Sequence, residues 1–145
     1  MKILSLDLGN NMGVCFHDTQ ENFFTYNLLQ FKGKDIFEKF CDTVHETLGT
    51  FYPDLIITAT PVLMPGRSNI LISQMKKYGA LCAIAHRFDK TVLDFKDSHA
   101  KKVVLGSGRA NKDAIKRFYE GSNITIDSPD VRDARMFLDC YLQTV

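Results

Sequence analysis

The sequence contains no tryptophan, and only four of its 145 residues are proline and four are cysteine. The cysteines, Cys15, Cys41, Cys82 and Cys140, are widely separated and form no Cys-x-x-Cys pair, which argues against a zinc site or a dithiol redox site. We expect them to be buried, reduced thiols in a cytoplasmic protein. No apolar run approaches the ~20 residues that a membrane-spanning helix requires. Asp7 interrupts the apolar start of the chain, so we also expect no signal peptide.

The length and composition are those of one folded domain, which we take as residues 1–145. A hydrophobic fraction of 45% argues against disorder. Lysine and arginine total 18 against 17 aspartates and glutamates, which leaves a formal net charge of +1. Taken alone, that small total gives no reason to expect a nucleic-acid partner.

The hydrophobic pattern predicts three strands followed by alternating helices and strands. Apolar residues alternate along the first segment and recur at helical spacing from residue 35 onward. Short turns join the first three strands and helical crossovers join the last two. The fold class is therefore α/β, with a mixed five-stranded sheet (three antiparallel strands, then two parallel) and helices on both faces. The predicted elements are strands at 3–8, 14–17, 22–31, 55–59 and 91–95 and helices at 35–49, 69–88, 98–105, 111–119 and 129–142.

Three aspartates are candidates for a functional site. Asp7 lies near the end of the apolar first strand, and Asp130 and Asp133 share a face in the first turn of the last helix. Taken singly, Asp7 is typical of a residue that caps a turn, and the other two suit the positive end of a helix dipole. If the last helix packs beside the first strand, the three carboxylates meet. Such a cluster repels itself without cations, and its hard oxygen ligands suit Mg²⁺ or Mn²⁺.

An ordered set of motifs extends along the chain. It comprises an apolar strand ending in Asp-Leu-Gly at 3–9 with Gly13 beyond it, a basic glycine-containing segment at 101–112, and Asp-x-x-Asp-Ala at 130–134. The set resembles RuvC-type Holliday-junction resolvases of the RNase H-like superfamily, particularly compact bacterial or phage-borne members. The resemblance implies an RNase H-like fold and a homodimeric endonuclease that nicks opposed strands of a four-way DNA junction. It also implies two Mg²⁺ or Mn²⁺ ions per active site, bound by Asp7, Asp130 and Asp133.

The fourth strand departs from the family pattern. The family has a catalytic glutamate at the end of this strand, whereas residues 56–61 read Ile-Ile-Thr-Ala-Thr-Pro. Ala59 is the expected equivalent and Thr60 the next candidate. Alanine has no oxygen to bind a metal ion, so we expect this chain to bind junctions and to cut them poorly. An inactivating substitution and a natural loss both remain open as origins.

Positive charge is concentrated in the middle of the chain. Residues 67–117 contain 12 of the 18 basic residues and four of the 17 acidic ones, so they carry +8 and the remainder −7. A solvated helix surface is one interpretation. We favour a phosphate-contacting face, because part of the segment matches the family's basic motif and Gly106 and Gly108 would let backbone N–H groups approach a phosphate. The predicted DNA-contacting residues are Arg67, Lys76, Lys101, Lys102, Ser107, Arg109 and Lys112.

The loop at 60–68 and the helix at 69–88 suggest two further roles. In resolvases the region after the fourth strand helps engage the junction centre. Leu63 or Met64 could serve there as an apolar wedge, and packing into the core is an equal alternative. The helix carries apolar residues on two sides, which favours a dimer interface.

Other functions remain open from the sequence. A YqgF-type RNase H-like nuclease would process RNA instead of DNA junctions. A non-catalytic DNA-junction-binding protein is favoured by Ala59. A nucleotide-binding relative of actin and sugar kinases shares the Asp-x-Gly turn, but that fold needs two such domains and a longer chain.

Overall fold

The computed structural model describes residues 1–145 as a five-stranded sheet with five helices. In sheet order the strands are β3-β2-β1-β4-β5. No helix combines the length and the apolar composition needed to cross a membrane. The strands are β1 (Lys2–Asp7), β2 (Asn11–Asp18), β3 (Phe23–Gln30), β4 (Leu55–Ala59) and β5 (Thr91–Phe95), and the helices are α1 (Ile36–Phe51), α2 (Ser68–Arg87), α3 (Asp97–Leu105), α4 (Lys112–Gly121) and α5 (Pro129–Thr144).

The sheet is mixed, which confirms the predicted fold class. Strand β2 pairs antiparallel with both β1 and β3, whereas β1, β4 and β5 are parallel to one another. Strand β2 begins three residues earlier than predicted, because Asn11 and its neighbours pair with the end of β3 instead of belonging to the turn. Since β1 is central and parallel to β4, the carboxyl ends of these strands meet at one edge of the sheet.

Each face of the sheet is buried under helices. Ile3 and Ile57 face a core formed with α3, α4 and α5, and Leu4 and Ile56 face a second core formed with α1 and α2. The alternation along β1 sends Ser5 and Asp7 to the same side as Ile3. Asp7 therefore ends β1 on the face that α5 covers.

None of the four cysteines forms a disulfide. Cys15 and Cys140 are buried, as expected, whereas Cys41 and Cys82 are only half-buried. Burial raises the pKa of the Cys15 thiol, which keeps it protonated and unreactive.

The start of α5 is fixed to the sheet by capping and by contacts with β1. The Ser128 hydroxyl accepts a hydrogen bond from the Val131 N–H at 3.3 Å, and Pro129 occupies the first turn, as the sequence predicts. One turn later the buried Ser5 hydroxyl donates to the Ala134 carbonyl at 2.6 Å. The cap fixes where α5 begins, and the bond from Ser5 holds this end of the helix against β1.

Gly13 on β2 allows α5 to begin directly on the sheet. A Cβ atom added at this position would lie 2.1 Å from the Asp130 carbonyl oxygen and 2.6 Å from the Val131 nitrogen. Because backbone atoms cannot move aside cheaply, Gly13→Ala is expected to push the helix start outward and to lower the free energy of unfolding by about 1–3 kcal/mol. Urea unfolding measures this loss.

Gly79→Ala is the matched control for that measurement. A Cβ atom added at Gly79, within α2, meets no atom within 4 Å. This variant is expected to be at least as stable as the parent, because alanine favours a helix over glycine by roughly 1 kcal/mol. Equal stability of Gly13→Ala and the parent would show that the contact between β2 and α5 is not tight.

Candidate active site

The structure brings the three predicted aspartates together at the carboxyl end of β1. Asp7 is the last residue of β1, Asp130 lies in the first turn of α5, and Asp133 follows three residues later on the same helix. The carboxyl groups of Asp7 and Asp130 are within hydrogen-bonding reach of each other, and the charges of Asp130 and Asp133 both act on Asp7. The cluster follows from the close approach of α5 to the first two strands.

Burial and the neighbouring negative charges make two of these carboxyl groups, Asp7 and Asp133, unusually hard to ionise. The pKa of Asp7 is held well above its ordinary range, first by burial and then by the negative charges of Asp133 and Asp130. Burial also raises the pKa of Asp133 to about 6, with the positive charge of Lys112 opposing it. Ionisation of both groups would therefore place more negative charge in the site than the nearby Lys112 balances.

A cavity of about 520 Å³ opens beside the cluster. Asp7, Asp133 and Ala59 line it. Thr60 also borders this space, but its hydroxyl donates a hydrogen bond to Asp94 on β5 at 2.5 Å. Thr60 is thus already engaged, and the equivalence of Ala59 with the family's glutamate stays a prediction.

The donor set suits a hard divalent cation, because it consists of carboxylates that a cation would relieve of mutual repulsion. The set is incomplete, however. No three acidic, histidine or cysteine side chains gather closely enough around one point to hold an ion. The carboxyl groups of Asp7 and Asp130 approach each other. Ala59, which also lines the cavity, has no side-chain oxygen to add to them.

Asp97 is a fourth carboxylate that the sequence patterns did not single out. It is the first residue of α3, lines the same cavity and contributes to the raised pKa of Asp133. Its Oδ2 atom forms a salt bridge with Lys101 Nζ at 2.5 Å, so its charge is already balanced and we do not assign it as a substitute ligand. Its position directly after a parallel strand was the signal that could have identified it, because such strand ends share one edge of the sheet.

Two of the seven predicted DNA-contacting residues lie close enough to act on the carboxylates. Lys112, at the first position of α4, lowers the pKa of both Asp7 and Asp133, and Lys101 lowers that of Asp133. The remaining five are exposed, and their role in binding DNA stays a prediction. They are Arg67, Lys76, Lys102, Ser107 and Arg109.

The loop between β4 and α2 projects into solvent. Leu63 is 63% exposed and Met64 is 49% exposed, so neither packs into the core as the alternative interpretation required. The wedge role stays a prediction. The adjoining part of α2 exposes Ile70, Ile72 and Met75, which leaves an apolar surface uncovered in the single chain.

No protein-family model and no curated protein sequence matches the chain. Among solved structures it is similar to RuvC of Thermus thermophilus in complex with a Holliday junction substrate, with 14% identity, a TM-score of 0.78 and coverage of 99% of this chain and 96% of that one. For the yeast mitochondrial Holliday junction resolvase the identity is 12%, the TM-score 0.66 and the coverage 97% and 77%. For the fowlpox virus Holliday junction resolvase the values are 14%, 0.56, and 100% of both chains. At these identities the likeness shows the fold, which is the RNase H-like fold of RuvC.

Proposed function

We propose that this chain is a structure-selective DNA endonuclease. It binds four-way (Holliday) and other branched DNA junctions as a homodimer and nicks opposed strands by divalent-metal-dependent phosphodiester hydrolysis. The observation that carries the proposal is the cluster of Asp7, Asp130 and Asp133 at the end of β1, within a fold shared with three junction resolvases. The names of those structures supply the substrate class.

Asp7, Asp130 and Asp133 are the side chains that would hold Mg²⁺ or Mn²⁺, two ions per site, although in their present arrangement they form an incomplete ligand set. When bound, divalent ions activate a water molecule as nucleophile and stabilise the leaving 3′-oxygen. Lys101 and Lys112, whose charges already act on this cluster, would attract the phosphate and balance part of the added negative charge. Arg67, Lys76, Lys102, Ser107 and Arg109 would position the DNA backbone.

Ala59 favours a second candidate, a junction-binding protein that does not cut. Ala59, where the family's carboxylate is expected, lies on the wall of the cavity that Asp7 and Asp133 also line. The proposed ions would bind in this cavity. Binding depends on the basic surface and does not need this carboxylate. The two candidates therefore predict the same DNA affinity and differ only in cleavage.

The proposed dimer uses Ile72 and Met75, two exposed apolar residues of α2. A homodimer has a twofold axis, and a four-way junction has an approximate one, so two active sites can face two opposed strands. Light scattering is expected to give the mass of a dimer. A monomer at micromolar concentration would remove this part of the proposal.

A binding and cleavage panel tests the proposed function. The substrates are a four-way junction, a three-way junction, duplex DNA, single-stranded DNA and a structured RNA, each measured without metal for binding and with Mg²⁺ or Mn²⁺ for cleavage. We expect the four-way junction to bind tightest, with affinity that falls steeply as salt rises, and to be nicked slowly. Asp7→Asn is expected to keep the binding and abolish the nicking. Preference for the RNA would favour the YqgF-type alternative, and equal affinity for all substrates would refute junction selectivity.

A further inference from the structure

A second, shallower cleft of about 430 Å³ adjoins the first one. It lies between the turn that joins β1 to β2 and the first half of α2. Leu8 and Gln74 line both cavities, and Asp130 lines the second while Asp7 and Asp133 line the first. The two cavities are therefore neighbours beside the carboxylate cluster.

Lys77 is a buried residue that lines this second cleft. It is only 6% exposed, and its ammonium group donates a hydrogen bond to Asn10 Oδ1 at 3.0 Å. The chain forms three salt bridges, and none of them involves Lys77. Burial of a positive charge without an acidic partner is costly, and burial accordingly lowers the pKa of Lys77. An anionic ligand would supply the missing partner.

The rest of the cleft is lined mainly by neutral polar side chains. Asp130 is its single acid, and the carboxyl group of Asp130 is within hydrogen-bonding reach of Asp7 at the border of the neighbouring cavity. Amides and a hydroxyl are suitable donors to phosphate oxygens. The neutral polar residues are Asn10, Asn11, Asn69, Ser73 and Gln74.

We propose that this cleft, the Lys77 cleft, binds a phosphate of the nucleic-acid backbone next to the phosphate held at the carboxylates. The ammonium of Lys77 forms the ion pair, and the amide and hydroxyl groups that line the same cleft supply neutral hydrogen bonds. The strand would then contact Lys77 in addition to Lys112, whose charge acts on Asp7 and Asp133. This assignment rests on the proposed function, because it takes the DNA backbone as the ligand.

The test compares Lys77→Met with Lys90→Met in junction binding without metal over a series of salt concentrations. Lys90 follows α2, and its ammonium lies 4.6 Å from the centre of the Tyr52 ring, away from both cavities. Lys77→Met is expected to weaken binding roughly tenfold. It should also reduce the slope of log affinity against log salt by about 1, the value for one lost phosphate contact. Lys90→Met is expected to leave both values unchanged.

If folded Lys77→Met shows the parental slope of log affinity against log salt, the assignment is wrong. A lysine that only holds the turn through Asn10 would not alter the number of counterions released from the DNA. A second pair of variants does not depend on the buried position. Ser73→Asp places a negative charge in the exposed wall of the cleft, and Ala83→Asp places one farther along α2. Only Ser73→Asp is expected to weaken binding, and equal effects would also overturn the assignment. If the parent protein binds no branched DNA at all, the proposed function fails instead.

Discussion

Ala59→Glu is expected to increase the rate of four-way-junction cleavage in Mg²⁺ or Mn²⁺ by ~100-fold or more, equivalent to roughly 3 kcal/mol of transition-state stabilisation. Ala59 ends β4 on the wall of the cavity that Asp7 and Asp133 also line. A cavity of about 520 Å³ has room for the longer side chain. The new carboxylate would face the existing ones and complete the set of oxygen ligands. Single-turnover cleavage of a labelled junction measures the effect.

Ala59→Gln separates the charge from the shape of the new side chain. Glutamine has the same length as glutamate and lacks its negative charge, so it is expected to leave cleavage at the parental rate. Both variants should bind the junction as tightly as the parent without metal, and adding Asp7→Asn to Ala59→Glu should remove the gain. If Ala59→Glu binds junctions but cuts no faster, the assignment of position 59 is wrong.

Asp133→Asn is expected to stabilise the metal-free protein by about 2–3 kcal/mol above pH 6, while abolishing metal-dependent nicking. Burial raises the pKa of Asp133 to about 6. At pH values between the ordinary pKa of an aspartate and about 6, the folded protein binds more protons than the unfolded chain. The stability of the parent therefore falls as pH rises through this window and stays low above it. Asparagine carries no charge, so the variant avoids the free-energy cost of ionising a buried carboxyl group.

Urea unfolding in a chelator from pH 4 to pH 8 measures this difference. The advantage of Asp133→Asn should grow up to about pH 6 and then level off. Mn²⁺ is expected to raise the stability of the parent and to leave Asp133→Asn unchanged, since the ion binds only the folded protein. Asp42→Asn, exposed on α1, is the control and should shift stability by less than about 0.5 kcal/mol. An Asp133→Asn variant less stable than its parent at pH 8 would contradict the expected repulsion.

The sheet and helices could be predicted because local patterns determine them. The alternation of leucines in β1 and the Ser128-Pro129 cap of α5 act within a few residues. The start of β2 was placed too late because Asn11 and Gly13 suit a turn by composition. In the folded chain these residues instead pair with Gln30 and its neighbours in β3, a partner that no local pattern reveals.

The candidate site could be predicted only in part. Asp7 and Asp133 were identified because an acid in an apolar strand and an acid pair on a helix face are visible in the sequence. Lys77 was not identified, because a lysine beside another lysine in a helix is typical of a solvated surface. Its burial depends on how α2 packs against the turn that contains Asn10. Asp97 was missed for a similar reason, since its place in the cavity depends on the sheet edge reached by β5.

The contact between Gly13 and the start of α5 has a consequence for synthesis on the ribosome. The first strand emerges early, whereas the helix carrying Asp130 and Asp133 emerges after all five strands. A nascent chain therefore holds Asp7 without its partners, and contacts so distant in sequence form late in folding. The acidic cluster, and any nicking that depends on it, can arise only once α5 has been translated and has docked on β2.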